Sequence, residues 1–523
     1  MSNQGRVESL EPRQHFSAAF GGAGFDDAHR IATAADGSYV VAGLFSGLTN
    51  FGGGTRLRAR GDTDIYLAKM APDDTPLWVR QIGGATDSER TLEKYDDRDL
   101  PIDPRRLGGF VSRVGNQPRD AGEYVNDIAV DPSGNIVLVG AFRETLSVAA
   151  ATLKSDDTID TEFYDAMAIK FSPAGDLMWA RQFGGPFDDT AQTVGFDGAG
   201  TPFIGGTFTR QADFDPSAKS YVLRTEGRDA GFVMRMTAGG AMTWVYHFDS
   251  ESVETVERNA VNDIAVTRRG EVYLAGTFGE EVDFDPSARL AVHESEGFSD
   301  AYVARLDRRG RLSWAQSTGG EGNDGNVSVA LDANGNVYTA GYFVDEVDVD
   351  PRADVTTILE PVDNDGNSTT FSDVLVSRFD AAGTPVWQAQ LGGDKWETIG
   401  DLKIGPDGAI TTVGAFYDTV DFAPGRAVRA LSSLNLDDGV RDVNERGSRD
   451  ESYDGYVWRL SPRGKFVSAQ RFGGIDDDFI SSVAFRGDGT LLVGGRAVRA
   501  VGEREDRNEQ ALLLELTTDL TVI

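Results

Sequence analysis

The sequence has no cysteine, only 4 histidines, and only 8 lysines among its 50 basic residues. The lack of cysteine excludes disulfides, thiolate metal sites and cysteine nucleophiles. No run of about 18 apolar residues occurs, so no membrane insertion is predicted. No charged segment followed by an apolar one comes after Met1, so the chain as given shows no signal peptide. No convincing helical periodicity is present, which argues against a helical fold.

The chain has 523 residues, of which 84 are acidic and 50 basic, and its formal net charge is −34. This balance argues against a nucleic-acid partner, because phosphate binding requires a basic surface. Hydrophobic residues make up 40% of the chain, which excludes wholesale disorder.

An internal repeat is the main signal. An aromatic residue is followed four positions later by an apolar residue and then Gly-Gly, as in Trp78 with Gly83-Gly84. The copies begin at Phe16, Trp78, Trp179, Trp244, Trp314, Trp387 and Ser468, and the copies at Trp244 and Ser468 are degraded. Five of the seven tryptophans share this register, so the repeat reflects a recurring structural unit.

Between these marks, short strand-like segments follow one another in constant order, separated by tight turns of Gly, Asn and Asp. We label them a, b, c and d, with d carrying the aromatic residue. Seven a-b-c sets begin near His29, Asn126, Ala191, Asn262, Asn326, Ile399 and Ile480. The sequence therefore predicts an all-β, single seven-bladed β-propeller with four-stranded blades.

The first d segment, around His15 to Phe20, precedes every a-b-c set, and the last set, ending near Leu516, has no tryptophan strand after it. The N-terminal d strand is therefore predicted to join the C-terminal a-b-c strands and close the ring, which removes an open sheet edge. The segment Leu520 to Ile523 competes for the same place. The predicted domains are a tail over 1–14, the propeller over 15–516 and a tail over 517–523.

These repeats resemble the bacterial seven-bladed beta-propeller (SBBP-type) repeat family. The resemblance rests on the Trp and Gly-Gly marks, on turns such as Asp332 to Asn336, and on Val282-Asp283-Phe284-Asp285-Pro286. The resemblance implies an extracellular or cell-surface propeller, with a cytoplasmic location as the alternative. It implies no particular activity, since a fold does not determine a function.

The long connections are predicted to emerge on one face. In a four-stranded antiparallel blade, the b–c and d–a connections share a face, and here the a–b and c–d turns are the tight ones. The longest insertions cover about 85–122, between blades 1 and 2, and about 344–372 and 418–453. Binding residues concentrate on loops held by a rigid scaffold, so this face is the candidate interaction surface. The alternative is that the insertions only cover blade edges.

The insertion over 85–122 carries seven basic and eight acidic side chains and is nearly neutral in a strongly acidic chain. It is either a docking arm or an ordered loop held by its own ion pairs.

Paired aspartates are the metal candidates. They are Asp213 and Asp215, Asp283 and Asp285, and Asp348 and Asp350, with a weaker copy at Asp421. Strand alternation places both carboxylates of a pair on one side, which suits Ca²⁺, a cation that prefers oxygen ligands. In the alternative interpretation, the intervening apolar residue fills the gap between blades and the aspartate caps a turn. No cofactor is required, and Ca²⁺ is the one that these residues could bind.

An aspartate before strand c recurs as Asp64, Asp165, Asp229, Asp300, Asp373 and Asp454, with Glu509 or Gln510 in the last blade. A group repeated around the whole ring indicates a structural role. The histidines, His15, His29, His247 and His293, lie at unequal places in their blades, so they form no metal set and no Ser-His-Asp constellation.

The sequence thus predicts no catalytic residues and favours a non-catalytic binding or scaffold propeller with a protein or surface-glycan partner. One alternative is a propeller lyase or hydrolase with an acidic, Ca²⁺-dependent site near the central channel. The other is a structural subunit of a larger assembly. The oligomeric state is not predicted.

Overall fold

Short β-branched and aromatic runs between glycine turns form the strands of seven antiparallel sheets, arranged as the seven blades of a β-propeller in a computed structural model. The structure describes residues 21–22, 24–84, 122–156, 163–217, 219–250, 259–287, 289–350, 358–361, 371–393, 395–423, 429–433, 452–474, 477–500 and 507–523. No helix occurs within these residues. The predicted fold class is confirmed.

The first four blades each contain strands a to d, innermost strand first. These are β1 (Arg30–Thr33), β2 (Tyr39–Asn50), β3 (Arg56–Met70) and β4 (Pro76–Gly83) in blade 1; β5 (Glu123–Val130), β6 (Ile136–Phe142), β9 (Asp165–Phe171) and β10 (Leu177–Phe183) in blade 2; β11 (Asp189–Phe196), β12 (Pro202–Asp213), β13 (Val222–Met236) and β14 (Met242–Asp249) in blade 3; and β15 (Ala260–Val266), β16 (Val272–Phe278), β19 (Asp300–Leu306) and β20 (Leu312–Thr318) in blade 4.

The remaining blades follow the same order. They are β21 (Gly325–Leu331), β22 (Val337–Val344), β25 (Ser372–Phe379) and β26 (Pro385–Leu391) in blade 5; β27 (Glu397–Ile404), β28 (Ile410–Tyr417), β31 (Tyr453–Leu460) and β32 (Phe466–Phe472) in blade 6; and β33 (Phe479–Phe485), β34 (Leu491–Ala500) and β35 (Arg507–Leu516) in blade 7.

Separate hairpins form in four b–c connections. They are β7 (Thr145–Val148) with β8 (Ala151–Lys154), β17 (Glu281–Asp283) with β18 (Val292–Glu294), β23 (Val347–Asp348) with β24 (Ile358–Leu359), and β29 (Thr419–Asp421) with β30 (Ala430–Ser432). In blades 1, 3 and 7 strands b and c themselves extend into the hairpin.

The hydrophobic core lies between blades. Every residue of strand β6 in blade 2 is buried, and so are the side chains of blade 1 that pack against it. Seven clusters of buried side chains each join two consecutive blades, including Tyr39 and Phe45 of blade 1 with Leu492 and Leu513 of blade 7. The ring is therefore closed by packing between the first and last blades.

Two described residues, Gly21 and Val522, lie beside β35, the outermost described strand of blade 7. The predicted closing strand around His15 to Phe20 and the tail over 1–14 lie outside the described residues, but Gly21 follows directly. A methyl group at Gly21 would lie 3.8 Å from Cγ of Gln510 on β35. At the other end of β35, Val522 bridges Leu516 after a tight turn. Gly21 and Val522 thus lie near opposite ends of β35.

Candidate functional site

The b–c hairpins bend over the blade that precedes them. Gly184, at the end of the d strand of blade 2, bridges Asp213 in the hairpin of blade 3, and Gly319 of blade 4 bridges Asp348 of blade 5 in the same way. In blade 1 the d strand β4 pairs with β7. The described parts of the b–c insertions therefore cover d-strand edges, which protects them from pairing with other chains. The insertion over 85–121 lies outside the described residues.

The paired aspartates hold the hairpin turns. The Oδ1 atom of Asp283 accepts hydrogen bonds from the backbone N–H groups of Asp285 (2.9 Å) and Ala291 (2.8 Å). The Oδ1 atom of Asp213 accepts the equivalent bonds from Asp215 (3.0 Å) and Tyr221 (2.8 Å). These bonds satisfy backbone donors that the turn leaves without a strand partner.

The apolar residue between the two aspartates packs inwards. Phe284 is fully buried, and its ring lies 4.8 Å from that of Phe248 in blade 3 and 4.9 Å from that of Tyr302 in blade 4. The hydroxyl of Tyr246 in blade 3 donates to the carbonyl of Phe284 (2.6 Å). The geometry therefore fits the alternative in which this residue fills the gap between blades.

Among the described residues, no three histidine, aspartate or glutamate side chains lie close enough together to hold a metal ion. Calcium binding by Asp213, Asp215, Asp283, Asp285, Asp348 and Asp350 stays a prediction.

Large apolar side chains are exposed on the hairpins of three consecutive blades. Val222, Val292 and Ile358 occupy the same register position, opposite Asp213, Asp283 and Asp348 respectively, and are 45%, 46% and 44% exposed. Leu290, at the tip of the blade 4 hairpin, is 82% exposed. The equivalent positions in blades 1 and 6 carry Arg56 and Ala430. We call Val222, Leu290, Val292 and Ile358 the apolar hairpin surface.

The central channel is lined by the a strands and contains a cavity of about 420 Å³. One residue of each a strand lies opposite the residue that precedes a glycine of strand b, and in blades 2 to 7 this residue lies directly after a bulge. These residues, from blade 1 to blade 7, are Arg30, Asp127, Thr193, Asp263, Ser328, Asp401 and Ser482. We call them the channel belt.

Hydrogen bonds link the channel belt from blade to blade. The Oδ1 atom of Asp263 lies 2.9 Å from the Thr193 hydroxyl, and its Oδ2 atom accepts from the Ser328 hydroxyl at 2.8 Å. The Oδ2 atom of Asp401 accepts from the backbone N–H of Val483 in blade 7 at 3.2 Å. Aspartates thus alternate with hydroxyl residues, and each aspartate accepts bonds from the next blade.

Arg30 breaks this alternation, and the number of blades explains why. A pattern with a period of two cannot close on a ring of seven, so one position must differ. Arg30 takes that position between Ser482 and Asp127. Its guanidinium donates to the carbonyls of Asn126 of blade 2 (2.6 Å) and Ser481 of blade 7 (2.9 Å). The irregularity therefore has a structural cause and does not itself indicate a catalytic site.

The channel belt was not among the residues predicted from the sequence, although the sequence carries a signal for it. Each belt residue lies within a few positions of the predicted start of an a strand. The alternation of Asp with Thr or Ser becomes visible once the seven starts are aligned. Beyond the belt the channel wall includes the apolar residues Ile128, Ile264 and Ile404. It also includes Lys403, whose Nζ lies 2.6 Å from Oδ1 of Asp401. The arrangement suits holding blades together more than acid–base chemistry.

Two histidines are half-buried beside the hairpins. The Nδ1 atom of His293 lies 2.9 Å from the Ser317 hydroxyl, and burial lowers the pKa of His293. Burial also lowers the pKa of His247, against an opposing effect of Asp249. His29 lies near the channel, 3.9 Å from Asp27. The described histidines are therefore dispersed, as the sequence predicted.

None of the described residues forms a helix of the length and apolar character needed to cross a membrane.

Comparison with known proteins gives partial and distant matches. No family model matches the chain. It is 24% identical over 254 residues to the regulatory protein FlaEY of Caulobacter vibrioides, an alignment that covers 49% of this chain and 23% of that protein. It is 21% identical over 255 residues to a WD repeat-containing protein of Acanthamoeba polyphaga mimivirus, covering 46% of this chain and 16% of that one. The chain thus spans less than a quarter of either relative.

Solved structures show the same limited likeness. The polysaccharide lyase Uly1 aligns over 97% of this chain and 94% of its own, with 9% identity and a TM-score of 0.40. Sqt1 from Chaetomium thermophilum aligns over 96% and 99%, with 9% identity and a TM-score of 0.35. Similarity at this level carries no functional argument.

Proposed function

We propose that the protein is a non-catalytic binding propeller that docks a protein partner through the apolar hairpin surface of blades 3 to 5. The observation that carries the proposal is the repeated exposure of Val222, Val292 and Ile358 at one register position in three consecutive blades. Interface cores are built from such apolar side chains surrounded by polar residues. Blades 1 and 6 lack this feature, so it is not imposed by the repeat.

The partner class follows from the chemistry of this surface. Its four side chains are aliphatic, and the ring of Tyr221 beside Val222 is 44% exposed. Because aliphatic side chains predominate, as in the cores of protein interfaces, we propose a protein in place of a glycan. The net charge of −34 favours a partner whose rim is basic, because complementary potentials steer association.

Support against the enzyme alternative comes from the channel. Its aspartates, Asp127, Asp263 and Asp401, all accept hydrogen bonds from the neighbouring blade. The lyase or hydrolase and the assembly subunit remain the alternative proposals. We also propose, from the sequence repeat, that the protein is a member of the SBBP-type repeat family with an extracellular or cell-surface location.

The test compares two triple variants with the wild type. Val222→Ser, Val292→Ser and Ile358→Ser together remove three of the four side chains of the apolar hairpin surface. Leu77→Ser, Val386→Ser and Val467→Ser form the matched control, because these d-strand side chains are 55%, 49% and 48% exposed but lie outside the hairpins. Each immobilised protein is used to capture partners from the source organism, and captured proteins are purified and titrated.

We expect a partner whose Kd rises at least about tenfold with the hairpin triple variant, since loss of a central anchor costs more than about 1 kcal/mol. The control variant should bind as the wild type does. A set of partners retained equally by both variants would contradict the proposal.

A further inference from the structure

Buried acids meet in pairs at five junctions between consecutive blades. Each pair joins the aspartate that begins a c strand to the acid that begins the next a strand. A methyl group on Gly184, the first glycine of its Gly-Gly pair, would lie 2.7 Å from Oδ1 of Asp165 and 2.8 Å from Oδ2 of Asp189. Four of the five pairs are Asp64 with Glu123, Asp165 with Asp189, Asp300 with Asp324, and Asp454 with Asp478. Asp373 and Glu397 occupy the equivalent positions at the fifth junction, against Gly392 and Gly393 respectively.

The other two junctions replace one acid with an amide. Asn259 lies at the junction of blades 3 and 4, and its Nδ2 donates to the carbonyl of Asp229 (3.2 Å). Gln510 of blade 7 lies across Gly21 from Asp26. An amide differs from a carboxylate in carrying a donor, and a protonated carboxyl also carries one. The ring thus contains two natural examples in which a junction has one negative charge at most.

Burial sets the cost of charging both members of a pair. At the amide junction, burial raises the pKa of Asp26 to about 6, against hydrogen bonds from Thr49 and Gly22. Burial raises the pKa of Asp189 and of Asp324 well above the ordinary range, and the facing carboxyls of Asp165 and Asp300 raise them further. A buried pair of this kind titrates as one unit.

The neighbouring charges differ between junctions. Asp188 faces the Asp165–Asp189 pair and Asp345 faces the Asp300–Asp324 pair, and each adds negative charge. Elsewhere cations are close: Arg60 and Arg143 act on Glu123, and Arg471 donates to Asp454 at 2.6 Å. The pairs at the junctions of blades 2 and 3 and of blades 4 and 5 are therefore the strongest candidates for holding a proton.

These two pairs also hold the bases of hairpins. Asp189 accepts hydrogen bonds from the backbone of Gly185 (2.6 Å) and of Thr209 in β12 (3.1 Å), where the blade 3 hairpin begins. Asp324 accepts the equivalent bonds from Gly320 (2.8 Å) and from Val344 in β22 (3.0 Å). A change in the charge of the pair therefore acts directly on the attachment of the hairpin.

We propose that Asp165 with Asp189, and Asp300 with Asp324, each share one proton in the folded protein, and that release of these protons to solvent loosens the hairpins of blades 3 and 5. The proposal concerns hairpin attachment and stands whether or not the hairpins dock a partner. The folded state holds protons that the unfolded chain gives up near pH 4, so the stabilisation is greatest in acid. This stabilisation is lost as the pH rises through the raised pKa values of the aspartate pairs in the folded protein.

Hydrogen exchange between pH 6 and pH 9 tests this proposal on the whole protein. Protection factors of amides in the β12–β13 hairpin should fall as pH rises, by up to about tenfold per pH unit for each proton released. The β17–β18 hairpin, at the Asn259 junction, is the internal control. It contains His293, whose lowered pKa has the opposite effect, so its protection should not fall as pH rises. The lowered pKa values of His247 and His293 act in the opposite direction, since they make stability rise with pH.

The variants copy the natural amide junction. With Asp189→Asn and Asp324→Asn together, the protection of the blade 3 hairpin should become nearly independent of pH, and the infrared carbonyl band of protonated carboxyls at pH 7 should weaken. The reciprocal change Asn259→Asp should create the pH dependence in the blade 4 hairpin. Equal pH dependence in the wild type and the double variant, or no new dependence with Asn259→Asp, would overturn the proposal.

Discussion

The indole of Trp387 in blade 5 lies against Gly464 in the c–d turn of blade 6. A methyl group on Gly464 would lie 2.8 Å from Cδ2 of Trp387, and Gly464 has a positive φ of +69°. The indole Nε1 donates to the carbonyl of Pro462 in the same turn (3.1 Å). The same contact recurs between consecutive blades from Trp78 with Gly175 onwards. The repeated tryptophans therefore stabilise the packing between neighbouring blades.

Gly464→Ala should destabilise the protein more than Gly489→Ala does. Both glycines have a positive φ, which costs an alanine about 1–2 kcal/mol. At Gly489 the nearest atom to the new methyl would be 3.7 Å away, whereas at Gly464 the methyl meets Trp387. Urea unfolding of both variants measures the difference. Equal losses of unfolding free energy would show that the indole contact contributes nothing.

The sequence predicted the blade order, the strand order and the turn glycines, because these features recur locally in every repeat. It did not identify Gly464 as the partner of Trp387, since the two residues lie in different blades and no local pattern connects them. Strand periodicity describes one sheet, and contacts between sheets depend on the closed ring.

In the candidate site, too, features that depend on contacts between strands or blades were not predicted from the sequence. The exposed apolar side chains were not singled out, since Val222 and Val292 look like ordinary strand residues until the hairpin register shows that they face outwards. The alternation in the channel belt is visible only after alignment of the seven a strands. The edge-covering role of the b–c insertions was one of two interpretations, and the described hairpins support it.

Exchanging the two charges of the ion pair of Arg486 with Glu515 should keep part of the stability that the pair provides. Lys170 on a c strand pairs with Asp131 in an a–b turn at 2.9 Å, whereas in blade 7 Arg486 is in the turn and Glu515 on the strand, 3.6 Å apart. Arg486 also contacts Asp74 of blade 1 at 3.2 Å. Arg486→Asp should cost about 2 kcal/mol, because it leaves the partly buried Asp74 and Glu515 without a cation.

Addition of Glu515→Arg to Arg486→Asp should recover part of this loss, because it restores the orientation found in blade 2. Chemical denaturation measures the unfolding free energies. The exposed pair of Arg311 with Asp307 supplies the control, and Arg311→Asp should cost less than about 1 kcal/mol. A double variant less stable than Arg486→Asp would contradict the interpretation.

Protonation of His293 should destabilise the protein in acid. Burial lowers the pKa of His293, so the folded state keeps the ring neutral while the unfolded chain takes up a proton near pH 6.5. Stability is therefore lost as the pH falls below about 6.5, by up to about 1.4 kcal/mol per pH unit. Calorimetry between pH 5 and pH 7 should show this loss in the wild type and a weaker one with His293→Asn, which can keep a bond to Ser317. An unchanged slope would exclude this histidine as the cause.

Asp283 separates the capping role of the paired aspartates from calcium binding. Its Oδ1 atom accepts from the backbone of Asp285 and Ala291, so Asp283→Ala should lower the unfolding free energy by about 1–2 kcal/mol. Asp283→Asn keeps a carbonyl oxygen at that place, and its unfolding free energy should stay close to that of the wild type.

Thermal melting with calcium and with a chelator tests calcium binding by the same residue, because an ion bound to the native state raises Tm. If the carboxylate acts only as a cap, the Asn variant matches the wild type in both buffers. A calcium-dependent rise in Tm of the wild type that is absent from the Asn variant would instead assign the metal to this hairpin, since loss of the negative charge weakens Ca²⁺ binding while leaving the cap in place.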